Sequence, residues 1–178
     1  MSKENNHARK NYPILFTDLD GTLITTRSGR TFPDGPWDMK LRLEVFEAIR
    51  NLHPDHVFII SNQGGIESGY VTKDAVEAKM RYVASCLAAY TGTRCEFVYC
   101  STNNKDDYYR KPNTGMLDLC IGKWVPSVET HHAKLMIGDA SGKPGQFSND
   151  DIRCAINFNI DYLDVEDFVK QYRPINND

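Results

Sequence analysis

Ile14-Leu15-Phe16-Thr17-Asp18-Leu19-Asp20-Gly21-Thr22 runs from a short apolar stretch into two aspartates and a glycine. Ile14 to Thr17 lacks apolar–polar alternation, as expected of a strand covered on both faces of a parallel sheet. If Asp18 ends that strand, its carboxylate projects beyond the carboxyl edge of the sheet, where open α/β folds bind ligands. Asp20 shares its face in extended chain, and Gly21 permits a sharp turn. A carboxylate at Asp18 can attack phosphorus and form an acyl phosphate. Asp20 can protonate the leaving oxygen and then activate water. The plain structural alternative is an Asx turn at the start of a helix.

Three further apolar runs have the same character: Val57-Phe58-Ile59-Ile60, Phe97-Val98-Tyr99-Cys100 and Leu135-Met136-Ile137. Helical spacing lies between them. Leu41, Val45, Ile49 and Leu52 recur at intervals of 4, 4 and 3, and Val76, Met80, Val83, Leu87 and Tyr90 at 4, 3, 4 and 3. Thr72 is placed to cap the second helix. Further helices are expected from Met116 to Ile121, near Asp150, and from Asp164 to Tyr172. Strands alternating with helices predict a three-layer, Rossmann-like α/β domain with a central parallel sheet. It would occupy residues 13–178 behind a flexible N-terminal tail, 1–12.

Polar and acidic residues follow three of the four runs. Ser61-Asn62-Gln63 follows the second, where the Ser61 hydroxyl and the next backbone N–H groups, Asn62 first, can bind phosphoryl oxygens. Gly138-Asp139 follows the fourth. Magnesium takes hard oxygen ligands and few of them from protein, so Asp18, Asp139 and the Asp20 carbonyl would suffice for Mg²⁺. Asp151 either holds a metal-bound water, positions Lys111 or caps a helix. Lys111, before Pro112, can neutralise charge shared by nucleophile and phosphate; alone it would be a solvated surface lysine.

Composition narrows the classes. Apolar residues make up 40% and charged residues 25% of 178, the net charge is −3 and the pI is about 5.9. That balance argues against a wide basic face for coating nucleic acid, though not against a few phosphate contacts. There is neither a signal-like apolar segment nor an apolar run of about eighteen residues, so a cytoplasmic protein without a membrane partner is expected. The five cysteines form no Cys-x-x-Cys pair, which favours free thiols over disulfides or zinc. His131-His132 and the pair His53 and His56 have no partner in sequence and suit connectors.

Taken in order, Asp18-Leu19-Asp20-Gly21-Thr22, Ser61-Asn62-Gln63, Lys111-Pro112 and Gly138-Asp139 resemble the haloacid dehalogenase superfamily across Ile14 to Phe168. The resemblance implies Asp18 as nucleophile, Asp20 as acid/base, Ser61 and Lys111 on phosphate, and Asp139 on Mg²⁺. A narrower likeness is to polynucleotide 3′-phosphatases, the phosphatase domains of polynucleotide kinase/phosphatase. It rests on Ile24-Thr25-Thr26-Arg27-Ser28-Gly29-Arg30-Thr31-Phe32-Pro33, on Tyr109 to Met116, and on Gly138-Asp139-Ala140-Ser141-Gly142-Lys143 followed by Phe147-Ser148 and Asp151. The chain departs from that pattern at Ile152, where an Arg is common. It also lacks a Gly-x-x-x-x-Gly-Lys-[Ser/Thr] stretch, Lys143 being followed by Pro144, so a phosphatase without the kinase half is expected.

The gaps between motifs leave no room for a large cap domain, and an open crevice suits a bulky substrate presenting only its phosphate end. Arg27, Arg30, Arg110 and Lys143 flank the motifs and can touch backbone phosphates. The expected reaction is removal of a 3′-phosphate from a DNA end, for which repair is the natural setting. One alternative is a phosphatase for sugar or histidinol phosphate. Such relatives carry a Cys/His zinc loop before the third motif, and residues 103–108 contain neither residue type. The other is a non-catalytic module that binds phosphorylated ends, against which the retention of Asp18 and Asp20 counts.

Overall fold

The computed structural model describes residues 10–33, 35–125 and 133–173. Five strands form one parallel sheet: β1 (Ile14–Thr17), β4 (His56–Asn62), β5 (Arg94–Cys100), β6 (Lys134–Gly138) and β7 (Asp161–Asp164), in the order β5-β4-β1-β6-β7. The chain winds outward from β1 to β5, then returns to the other side of β1 for β6 and β7. Its direction therefore reverses beside β1, and the crevice at the end of that strand is the site such sheets use for ligands.

The helices are α1 (Leu43–Leu52), α2 (Lys73–Thr91), α3 (Gly115–Trp124), α4 (Asp150–Asn157) and α5 (Val165–Tyr172). Alternate strand residues feed two separate cores. Leu15, Val57, Ile59, Leu135 and Ile137 pack with α1, α2 and α5, whereas Ile14, Phe16, Phe58, Ile60 and Met136 pack with α3 and α4. Burial on both faces is what makes these strands read as unbroken apolar runs. The three-layer expectation holds.

All four apolar runs lie within strands, and Thr72 caps α2 by accepting from the Ala75 N–H at 3.2 Å. Three features differ from expectation. Leu41, counted as helical, belongs to β3 (Met39–Leu41), which pairs antiparallel with β2 (Ile24–Thr26). Strand β7 was not expected because its four residues begin and end on aspartate. Tyr12, assigned to the tail, is buried, and its hydroxyl donates to Asp161 at 2.6 Å; Lys10 pairs with the same carboxylate. Residues 1–9 and His131-His132 lie outside the described residues. His53 ends α1 in the left-handed conformation, and His56 opens β4 instead of lying in the turn.

Between β1 and α1 stand only the β2–β3 hairpin and a 3-10 turn at Pro36–Asp38 among the described residues, so no large cap covers the crevice. Asp38 holds this hairpin together by accepting from the Ser28 N–H at 2.6 Å and the Ser28 hydroxyl at 2.7 Å.

The core of the second face turns on Phe58, which packs 5.5 Å from the Phe16 ring and 5.9 Å from the Trp124 ring. Phe58→Ala is expected to cost about 3–5 kcal/mol in denaturant unfolding, as for other large aromatic deletions in a packed interior.

Candidate active site

The ends of the strands deliver the site. The Asp18 N–H donates to the Ile137 carbonyl at 3.0 Å, extending the β1–β6 ladder by one residue, and the carboxylate follows immediately. The chain then turns over Leu19, whose carbonyl accepts from Leu23 at 2.9 Å and Ile24 at 3.1 Å. Gly21 makes this turn possible in two ways. It sits at φ +87°, and a Cβ there would lie 2.0 Å from Oδ2 of Asp139. Arg42 pins the turn from outside, donating to the Gly21 carbonyl at 2.9 Å while paired with Glu44 and Glu166.

Lys111 is the centre of the arrangement. Its side chain is only 3% exposed, and Nζ donates to Asp18 Oδ1 at 2.6 Å, Asp151 Oδ1 at 2.7 Å and the Ile60 carbonyl at 3.1 Å. An ammonium so enclosed is tolerable only with its donors satisfied and opposite charge beside it. Burial alone would lower its pKa; Asp151 and then Asp18 outweigh that and hold it above the ordinary lysine value. The backbone around Lys111 is fixed by Asn62, whose side chain accepts from the Lys111 N–H at 2.9 Å and donates to the Lys111 carbonyl at 2.9 Å. The Lys111–Pro112 peptide is cis.

Asp151 stands in the first turn of α4, where the Asn149 N-cap makes no side-chain bond. Its carboxylate accepts from Lys111 and, at 3.1 Å, from the Ala140 N–H. Asp151 is thus paired with Lys111, and the same carboxylate stands near Asp18 and Asp139. Gly138 lets it approach, since a Cβ at 138 would meet Asp151 Oδ2 at 2.2 Å.

Asp18, Asp139 and Asp151 each offer an oxygen within 4.8 Å of the others, an all-oxygen set that suits a hard divalent cation. Three carboxylates face one ammonium, so negative charge is in excess. Burial, reinforced by Asp151 and Asp139 and opposed by Lys111, pushes the Asp18 carboxyl up to about 8. Burial and then Asp151 push Asp139 up to about 6. The Thr22 hydroxyl lies 3.3 Å from Asp18 Oδ2 and 3.5 Å from Asp139 Oδ1.

Asp20 is held from the α2 side. Gln63 Nε2 donates to its Oδ2 at 2.7 Å and to the Ser61 hydroxyl oxygen at 2.8 Å, and Lys79 Nζ lies 3.0 Å from Oδ1. Ser61 is buried at the end of β4 and keeps its own hydroxyl proton free of these bonds.

The flanking basic residues divide. Arg27 and Arg30 are exposed on the loop after β2. Arg110 is partly buried, with Nη1 donating to the Thr102 carbonyl at 2.7 Å. Lys143 pairs with Asp164 at 3.2 Å and Asp167 at 2.8 Å, which ties the loop before α4 to the end of β7. Ser141 and Gln146 donate to the same Asp164 at 2.7 Å each. Thr22, Lys79 and Asp164 were not singled out in sequence. Thr22 and Gln63 stand inside the quoted motifs, Asp164 is legible only as the start of the last helix, and Lys79 carries no local signal.

The sequence model of the family described as polynucleotide kinase 3 phosphatase matches residues 13–169. A bifunctional polynucleotide phosphatase/kinase of Schizosaccharomyces pombe is 30% identical over 163 residues, covering 90% of this chain and 38% of that protein. An uncharacterised 20.8 kDa protein of Autographa californica nuclear polyhedrosis virus is 28% identical over 169 residues, covering 90% and 87%. This chain thus spans well under half of the yeast relative. In fold, it is similar to the D,D-heptose 1,7-bisphosphate phosphatase of B. bronchiseptica, solved with magnesium and phosphate, with a TM-score of 0.61 at 15% identity over 92% of this chain and 88% of the other.

The excess negative charge has a measurable sign. A carboxyl whose pKa rises from 3.8 to about 6 on folding stabilises the metal-free fold below pH 4, and that contribution is lost as pH rises to 6. In EDTA, Asp139→Asn is therefore expected to gain up to roughly 2 kcal/mol over wild type at pH 7.5 and little at pH 4. The same variant should lose the thermal stabilisation that a divalent cation gives wild type. Denaturation at the two pH values, with and without cation, checks both.

Proposed function

The chain belongs to the polynucleotide kinase 3 phosphatase family, and from that premise we propose that it removes 3′-phosphates from DNA ends as a Mg²⁺-dependent phosphomonoesterase. The observation that carries the reading is the buried Lys111 bridging Asp18 and Asp151, with Asp139 as a third carboxylate close by. This is a site built to gather negative charge around one nucleophilic oxygen. Asp18, Asp139 and Asp151 fit Mg²⁺ as oxygen donors, with the Asp20 carbonyl available from the turn. When bound, the ion supplies the positive charge that lets a phosphate dianion approach a carboxylate.

The steps that belong to the protein follow from its own groups. Asp18 attacks phosphorus and becomes an aspartyl-phosphate as the bond to the sugar oxygen breaks. Asp20 gives its proton to that departing oxygen, then takes one from the water that releases phosphate. Lys111 holds Asp18 in line and offsets charge on the transferring group. The Ser61 hydroxyl and the Asn62 N–H would donate to phosphoryl oxygens; the Gln63 N–H is taken by the Cys100 carbonyl at 2.7 Å. The Asn62 side chain is occupied by the Lys111 backbone, so its share of phosphate binding falls to its N–H.

A nucleic-acid end is favoured over a small sugar phosphate by what surrounds the crevice. No large cap encloses it. Phe32, 54% exposed on the loop after β2, meets Phe147, 82% exposed on the loop between Asp139 and Asp151, with ring centroids 6.3 Å apart. Exposed aromatic rings beside a phosphate site are suited to stacking on bases without reading sequence. Arg27 and Arg30 lie on the same loop as Phe32 and suit contact with neighbouring phosphates.

Purified protein with Mg²⁺ is expected to release phosphate from a 3′-phosphorylated oligonucleotide and not from its 5′-phosphorylated counterpart, with the activity lost in EDTA and in Asp18→Asn. Release from sugar phosphates alone would keep the nucleophile and discard the nucleic-acid substrate. No release from any phosphate, with tight binding to phosphorylated ends, would instead establish a binding module. Phe147→Ala is expected to raise KM for the oligonucleotide about tenfold, in line with the loss of one stacking contact, and to leave 4-nitrophenyl phosphate hydrolysis unchanged.

A further inference from the structure

Lys79 lies in none of the motifs, yet it reaches the site from the middle of α2. Its Nζ is 3.0 Å from Oδ1 and 3.2 Å from Oδ2 of Asp20, and 3.4 Å from Oε1 of Gln63. Its side chain is 17% exposed and that of Asp20 is 7%. The contrast with Lys73 and Glu77 on the same helix, whose side chains are 69% and 36% exposed at 3.8 Å, separates an enclosed pair from a solvated one. Its helix neighbours Val76, Met80 and Val83 are fully buried, so this stretch of α2 faces the core. Gln63 completes the cradle by donating to Oδ2 of Asp20 at 2.7 Å.

We propose that Lys79 is a positioning residue for Asp20: together with Gln63 it fixes the plane of the carboxyl group that must face the leaving oxygen. The inference rests on the phosphatase reading above. In the first step the bond from Asp18 to phosphorus forms, the bond from phosphorus to the leaving oxygen breaks, and the Asp20 proton passes to that oxygen. Asp20 is then an anion facing Lys79. In the second step water attacks phosphorus, its proton returns to Asp20, and the bond to Asp18 breaks. Lys79 touches neither substrate nor reacting atoms in this scheme and acts through the orientation of Asp20.

The test exploits the leaving group. An alkoxide needs a proton as it departs, whereas 4-nitrophenolate leaves without one. The parameter kcat/KM reports the steps through alcohol release, so the two ester classes can be compared directly. Lys79→Met is expected to lower kcat/KM on a 3′-phosphorylated oligonucleotide at least about tenfold, part of the gain general acid catalysis supplies. On 4-nitrophenyl phosphate the loss should stay within about threefold, because that ester does not draw on the general acid. Lys79→Arg should recover part of the oligonucleotide activity by restoring the charge. Equal losses on both esters, or none on either, would overturn the proposal. If Lys79→Met does not fold, Lys79→Gln gives the same comparison. If wild type cleaves a sugar phosphate and not the oligonucleotide, the substrate reading fails, and the Lys79 comparison is made on the sugar phosphate, also an alkyl ester.

Discussion

The Lys111 ammonium joins four parts of the chain that are distant in sequence. Its partners come from just past β1 (Asp18), the last residues of β4 (Ile60) and the start of α4 (Asp151), and Lys111 itself stands between β5 and α3. A charge buried this deeply costs several kcal/mol unless every donor is matched. The matching therefore constrains everything nearby. Asn62 clamps the Lys111 backbone, Gly138 leaves room for Asp151, and the Ala140 N–H holds the other oxygen of Asp151. Truncating Lys111 would strand two buried carboxylates, so its removal threatens the fold as well as the chemistry.

Lys111 does not balance the site by itself. Asp139 adds a third carboxylate, and the pKa values of Asp18 and Asp139 rise because burial and mutual repulsion outrun what one ammonium supplies. The deficit is local and points to a positive partner in the crevice. Asp20 stands apart from it with Lys79 and Gln63. The two acids of the Asp-Leu-Asp turn thus meet different surroundings. One is crowded by carboxylates and suited to a cation, and the other is cradled by donors.

What the sequence disclosed follows from where the determinants lie. The central strands are legible because burial on both faces keeps Ile14 to Phe16, Val57 to Ile60 and Leu135 to Ile137 wholly apolar, and the residues at the ends of β1, β4 and β6 are legible because they sit at the carboxyl edge of the sheet. Strand β7 is short, at the edge, and bounded by Asp161 and Asp164, so it resembles a loop. Leu41 continued the helical spacing of α1 by coincidence while pairing with Ile24 across the hairpin. Lys79 is one of many charged residues on α2, and only the tertiary approach of that helix to the turn after β1 distinguishes it. Contacts of that kind have no local period to reveal them.

With no large cap among the described residues, the work of selectivity shifts to loops. In such a site the chemistry is fixed deep in the sheet edge, while what can reach it is decided by the rim. Here the rim is made of the loop after β2 and the loop between β6 and α4, brought together at Phe32 and Phe147. Both loops are braced from below: Asp38 gathers Ser28, and Asp164 gathers Ser141, Gln146 and Lys143. Lys143 thereby contributes to shaping the rim more than to presenting free charge. The buried aspartates brace the two loops on which the exposed Phe32 and Phe147 rings meet. The two rings meet edge to face at 81°, so each presents its own surface at the rim and the pair forms no continuous plane.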